Sequence, residues 1–138
     1  MRPIDFAKAA GLGALIFVID VLLAFGLMYA WGMIFEPGHT EAYYERAAVP
    51  MARWSTRIFG TAMMLGTAWS SGRRQPQRNA YAFGALLVFF YAFYDGAIVL
   101  FAGFFTLGIA VTMLLKFIGA LAGAFLARHR PRRFSEFT

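Results

Sequence analysis

The chain has 138 residues, of which 60% are hydrophobic and only 14% charged, and it carries a formal net charge of +6. A soluble domain normally has about a quarter of its residues charged, so this surface is short of ions in the way lipid contact requires. The basic residues sit in short segments between apolar runs rather than in a patch, which excludes nucleic acid as the expected partner. The absence of cysteine excludes thiol catalysis, disulfides and iron–sulfur ligation.

A hydrocarbon core about 30 Å thick needs roughly 20 apolar residues in helix. The first run, Ala9 to Phe35, is interrupted only by Asp20. Its length and the lack of a small-residue cleavage site mark it as a retained first span. Pro37-Gly38 stops this helix, and an outer loop over 36–53 follows. Within the loop Thr40 is placed to cap a short interfacial helix through Ala48, and Pro50 is placed to begin the second membrane helix. The second span is expected over 54–71. The apolar stretch from Ala80 to Ala127 is too long for one crossing, and a break at Ala102-Gly103 divides it into spans over 80–101 and 104–127.

Charge then orients the bundle. Arg2 and Lys8 precede the first span, Arg73, Arg74 and Arg78 join the second to the third, and Arg128, Arg130, Arg132 and Arg133 follow the fourth. These are nine of the thirteen Lys and Arg residues, and the positive-inside rule puts them in the cytoplasm. The tail from Arg128 to Arg133 reads as a topology anchor or as a contact for anionic lipid. Trp31, Phe35, Tyr43, Tyr44 and Trp54 form the expected outer aromatic belt, with Trp69 and Tyr81 on the inner one. The expectation is an all-α membrane protein, a single four-transmembrane-helix bundle with both termini cytoplasmic, in a bacterial inner membrane.

Asp20, Asp95 and Lys116 interrupt the spans, and Arg57 lies near the outer boundary of the second. A charge at mid-bilayer costs at least about 2.5 to 3.5 kcal/mol, so each needs a partner or a wet cavity. Counting helical rise from the inner span ends places Asp20 and Lys116 both roughly 16 Å up, and Arg57 and Asp95 both roughly 21 to 22 Å up. Two opposite-sign pairs, Asp20–Lys116 and Arg57–Asp95, are therefore matched in depth. Each charge also shares a helix face with small residues. Lys116 lies in a stripe with Gly108, Thr112, Gly119, Ala120, Gly123 and Ala127; Arg57 lies with Gly60 and Thr61, Asp20 with Gly13 and Ala24, Asp95 with Gly84 and Ala92. Tyr91 and Tyr94 flank Asp95 as hydrogen-bond donors to it or to a ligand.

These charges have two readings. They are ion pairs that fix helix order and register, or they form a proton or substrate site with Asp20 as the switching group. His39 and His129 fall on opposite sides of the membrane and cannot share a metal or haem, and no zinc, phosphate-binding or nucleophile–base motif is present. No cofactor and no catalytic, cofactor-binding or metal-ligating residue is assigned.

Four short spans, the Phe35-Glu36-Pro37 stop, the stretch RWSTRIFGTAMMLG from Arg53 to Gly66 and the basic loop at Arg73-Arg74 resemble small bacterial inner-membrane proteins with a DoxX-like four-helix build. The resemblance implies a four-helix inner-membrane bundle with an accessory role beside a membrane enzyme, and carries over no catalytic residue. The functional expectation is a non-enzymatic accessory or scaffold subunit, or a homo-oligomer. Its partners are the lipid bilayer and, through small-residue faces, itself or another membrane protein. A small proton-coupled transporter using Asp20, and a membrane enzyme acting on lipid or quinone near Tyr91, Tyr94 and Asp95, stand as alternatives.

Overall fold

The structure, a computed structural model, describes residues 2–103 and 106–129. It consists of four helices: α1 (Pro3–Ile34), α2 (Glu41–Arg74), α3 (Ala80–Ala102) and α4 (Leu107–His129). Arg130, Arg132 and Arg133 of the expected basic tail lie outside the described residues. Pro3 opens α1 where its missing N–H does no harm, and the Asp5 carboxylate accepts the Arg2 amide at 2.8 Å. Asn79 caps α3 through its side chain, which accepts from the Tyr81 and Ala82 amides. Gly103 ends α3 in the left-handed conformation, φ 71°, so the break falls where the sequence places it.

The connection between α1 and α2 is shorter than expected. The helix resumes at Glu41 with Thr40 as its N-cap residue, and Pro50 lies inside it rather than at the start of a new one. Proline removes one helix bond and frees the carbonyl of Arg46. Both residues are exposed on the polar half of α2, where water or lipid headgroups can serve that carbonyl, so the helix runs through. The short turn is held by aromatic side chains. The Tyr44 hydroxyl donates to the Glu36 carbonyl at 2.6 Å, the His39 amide donates to Tyr44, and Trp31 stacks on Tyr43 with ring centroids 6.1 Å apart.

Around the bundle the neighbours run α1–α2–α4–α3 and back to α1, with α2 and α4 in the most extensive contact and α1 and α4 on opposite corners. Glycine decides where backbones come closest. A Cβ on Gly119 would lie 2.8 Å from the Thr61 carbonyl oxygen, and one on Gly123 would overlap the carbonyl of Leu65. Gly13 sits less closely against α3, where a Cβ would lie 3.2 Å from the Tyr91 nitrogen and 3.3 Å from the Leu87 oxygen, and one on Gly84 would lie 3.3 Å from the Ala120 oxygen of α4. The small-residue faces read from the sequence are thus packing faces. At the end carrying both termini, Arg78 pairs with Asp5 at 3.3 Å and lies over the Phe83 ring.

The surface differs from that of a soluble bundle. Leu22, Phe25, Phe93, Leu114 and Ile118 face outward, while the largely apolar core also holds Asp20, Lys116, Thr112 and Ser55. Outward apolar side chains around a core that shelters charges are what a lipid environment selects. Among the described residues α1, α3 and α4 are long and apolar enough to cross a membrane. At 32 residues α1 extends about 48 Å, well beyond a 30 Å core. α2 is not among them: Glu41, Glu45, Arg46, Arg53, Arg57, Arg73 and Arg74 lie on it, and its middle stretch is rich in Gly, Ser and Thr.

The close approach of α2 and α4 gives a contrast within one chain. Gly123→Ala forces a methyl group onto the Leu65 backbone and should cost about 1–3 kcal/mol. Gly66→Ala meets open space and should be neutral or gain up to about 1 kcal/mol of helix stability. Thermal melts of the two variants in detergent check this, and equal effects would mean that the two helices are not in contact at Gly123.

Candidate functional site

One polar side chain from each of α2, α3 and α4 meets the Asp20 carboxylate of α1. Lys116 of α4 is fully buried, and its ammonium donates to Asp20 Oδ2 of α1 at 2.8 Å. The Tyr91 hydroxyl of α3 donates to the same oxygen at 2.7 Å, and the Thr56 hydroxyl of α2 does so at 2.5 Å. Lys116 also donates to the Tyr91 hydroxyl, which therefore accepts one hydrogen bond and donates another. The lysine nitrogen lies 3.8 Å from the Tyr91 ring centroid, so the cation is held by a carboxylate, a hydroxyl and an aromatic face.

This arrangement depends on Gly60. A Cβ there would overlap Lys116 Cε and lie 2.9 Å from both the lysine nitrogen and Asp20 Oδ2. The absence of a side chain opens the passage through which a lysine on α4 reaches a carboxylate on the opposite corner. Ile16, Met64, Leu87, Val88 and Ala120 pack in the apolar cluster around Tyr91 and exclude water from this level of the bundle.

The Asp20–Lys116 pair matched in depth is therefore formed. The other pair is not. Among the described residues the ion pairs are Asp20–Lys116, Asp5–Arg78 and the exposed Glu36–His39, and neither Arg57 nor Asp95 belongs to one. Arg57 turns to α4, where its Nε donates to the Thr112 hydroxyl at 3.3 Å, and its guanidinium lies 5.9 Å from the Trp54 ring. Equal depth says nothing about direction around the helix axis, and α2 presents this face to α4 rather than to α3. Tyr94 packs on Phe17 and Phe93, apart from the cluster.

Away from the termini the bundle opens into a cavity of about 670 Å³ with contributions from all four helices. Asp20 and Thr56 lie at its wall beside the cluster; Asp95, Arg53 and Thr112 add further polar groups to walls that include Val21, Phe25 and Val99. Asp95 is half-buried. The second oxygen of Asp20, Oδ1, is buried and has no hydrogen-bond partner among the described residues. Those residues contain no group of three or more His, Cys, Asp or Glu side chains able to hold a metal ion.

Sequence reasoning passed over Thr56 and the seat that Gly60 provides. The spacing Thr56-x-x-x-Gly60 was the available signal, since residues four apart share a helix face and this one faces α1 and α4 together. Arg53 also lines the cavity.

Two neighbouring hydroxyls on α2 test the cluster. Thr56→Val removes a hydrogen bond to a charged acceptor and should cost about 1.5–3 kcal/mol. Ser55 is buried with its hydroxyl unpartnered, so Ser55→Ala should be neutral or stabilising. Denaturation of both variants in the same detergent compares them; a Thr56→Val protein as stable as Ser55→Ala would remove Thr56 from the cluster.

No family model, no curated protein and no solved structure matches the chain.

Proposed function

We propose that this is a non-enzymatic, multi-pass membrane protein of DoxX-like build, an accessory or scaffold subunit or a homo-oligomer, working through the outer faces of a bundle locked by its central ion pair. The observation that carries the reading is the state of Asp20 Oδ2, which accepts three hydrogen bonds, one of them from a fully buried lysine. A group held by three donors from three other helices is suited to fixing their order. In this reading α2 is the fourth crossing. Its apolar stretch after Arg57 packs between α1 and α4, and its charged first half stands at the outer boundary. The surplus of Lys and Arg at the end carrying the termini supports a cytoplasmic placement of both, in a bacterial inner membrane.

A second reading, a small proton-coupled transporter using Asp20, is favoured by one observation. Asp20 is a carboxylate within a span and lies at the wall of the cavity. The membrane-enzyme reading has less support, since the Tyr91 hydroxyl is already engaged by Asp20 and Lys116 and Tyr94 is held among aromatic rings.

A double-mutant cycle separates the first two. Asp20→Asn and Lys116→Met should each cost about 3–5 kcal/mol, because each leaves the other group buried without its partner, and the double variant should recover more than half of the summed loss. Stability is read from thermal unfolding in nanodiscs. Losses that simply add would sink the lock. Single variants that stay folded and stable but abolish proton-coupled flux in proteoliposomes would favour the transporter.

A further inference from the structure

The cavity holds a charge that the lock does not use. Asp95 lies on α3 with its side chain half-buried at the cavity wall, and among the described residues it takes part in no ion pair. The cation expected opposite it, Arg57, is committed to Thr112 and Trp54. Lys116 is committed to Asp20 and Tyr91. Arg53 also lines the cavity, but its guanidinium lies near Gly108 at the start of α4 and makes no ion pair with Asp95. A half-buried carboxylate with no ion-pair partner among the described residues, bordering a largely apolar space, asks for a donor that also carries positive charge.

We propose that the cavity binds a lipophilic organic ammonium ion, whose N–H groups meet Asp95 while its apolar body fills the space beside Ala24, Met28 and Val99. A volume of about 670 Å³ falls within the range of roughly 300–1,000 Å³ typical of small-molecule pockets. Primary and secondary amines fit better than quaternary ones, because the Asp95 carboxylate can then accept a hydrogen bond as well as pair with the charge. This inference concerns Asp95 and the cavity, and it holds whether the Asp20–Lys116 pair acts as a structural lock or as part of a carrier.

The test uses the full chain in phosphatidylcholine nanodiscs, with empty nanodiscs correcting for partition into lipid. Three probes of one shape and different charge are titrated calorimetrically: naphthylmethylamine as its ammonium, naphthylmethanol and naphthoate. The parent should bind the ammonium saturably and at least about tenfold more tightly than the alcohol, the margin expected of a close charge pair. Asp95→Asn should lose that margin, so that amine and alcohol bind alike. Equal binding of amine and alcohol by the parent overturns the proposal without any variant. So does a margin that survives Asp95→Asn. Preference for naphthoate overturns it in favour of an anion held by Arg53.

Discussion

The bundle depends on one interaction across its diagonal. α1 and α4 occupy opposite corners and share no close backbone contact, yet Lys116 of one reaches Asp20 of the other through the space left by Gly60. An ion pair between neighbouring helices constrains only those two. A diagonal pair must pass between the other two helices, and here both are tied in, α2 through Thr56 and α3 through Tyr91. Burying these charges is costly, with an effective penalty of several kcal/mol per ion. The lattice of donors around Oδ2, together with the attraction at low dielectric, offsets that penalty. Such a pair is poor evidence of high stability. It is better evidence of specificity, because any rotation or slip of a helix that separates the two charges leaves each buried without its partner.

The glycines show how the packing is graded along the bundle axis. Gly13, Gly60, Gly72, Gly84, Gly119 and Gly123 all bring a neighbouring helix or side chain close to where a Cβ would lie. They occupy the central level and the end that carries the termini. Gly26 and Gly96, toward the opposite end, meet nothing within 4 Å, and Gly32 there meets only the Tyr44 ring. The closest approaches of one helix backbone to another lie between the ion pair and the termini, and the cavity opens beyond the pair. Asp20 stands at the boundary between the two regimes. One carboxylate oxygen belongs to the lock, and the other is buried without a partner.

The two halves of α2 follow the same division. From Gly60 to Gly72 its buried face is Gly60, Met64, Ala68 and Gly72, at regular intervals of four, and this face meets α4. Before Ser55 the helix is largely exposed and charged, and Pro50 is accommodated there because no close neighbour demands an unbroken set of helix bonds. The polar half forms part of the cavity wall through Ala48, Val49, Ala52 and Arg53. One helix thus packs the core at one end and borders an open space at the other, which explains why its overall composition falls short of a membrane span.

Much of this was open to reading along the chain. Apolar length marked α1, α3 and α4, because lipid imposes a simple one-dimensional demand on any helix that crosses it. Gly103 marked the break between the last two, since only a residue tolerant of positive φ ends a helix that way at no cost. Small residues at helical spacing identified the faces that pack, and depth along each helix paired Asp20 with Lys116. What depth cannot carry is azimuth. Arg57 and Asp95 matched in height as well as the true pair did, but α2 turns Arg57 toward Thr112 of α4, while Asp95 faces a cavity. The convergence of Thr56, Tyr91 and Gly60 on a single carboxylate was likewise a matter of tertiary structure. Hydropathy and spacing describe each helix by itself. The order of helices around the bundle, and with it which charges meet, arises only when four faces must be buried together.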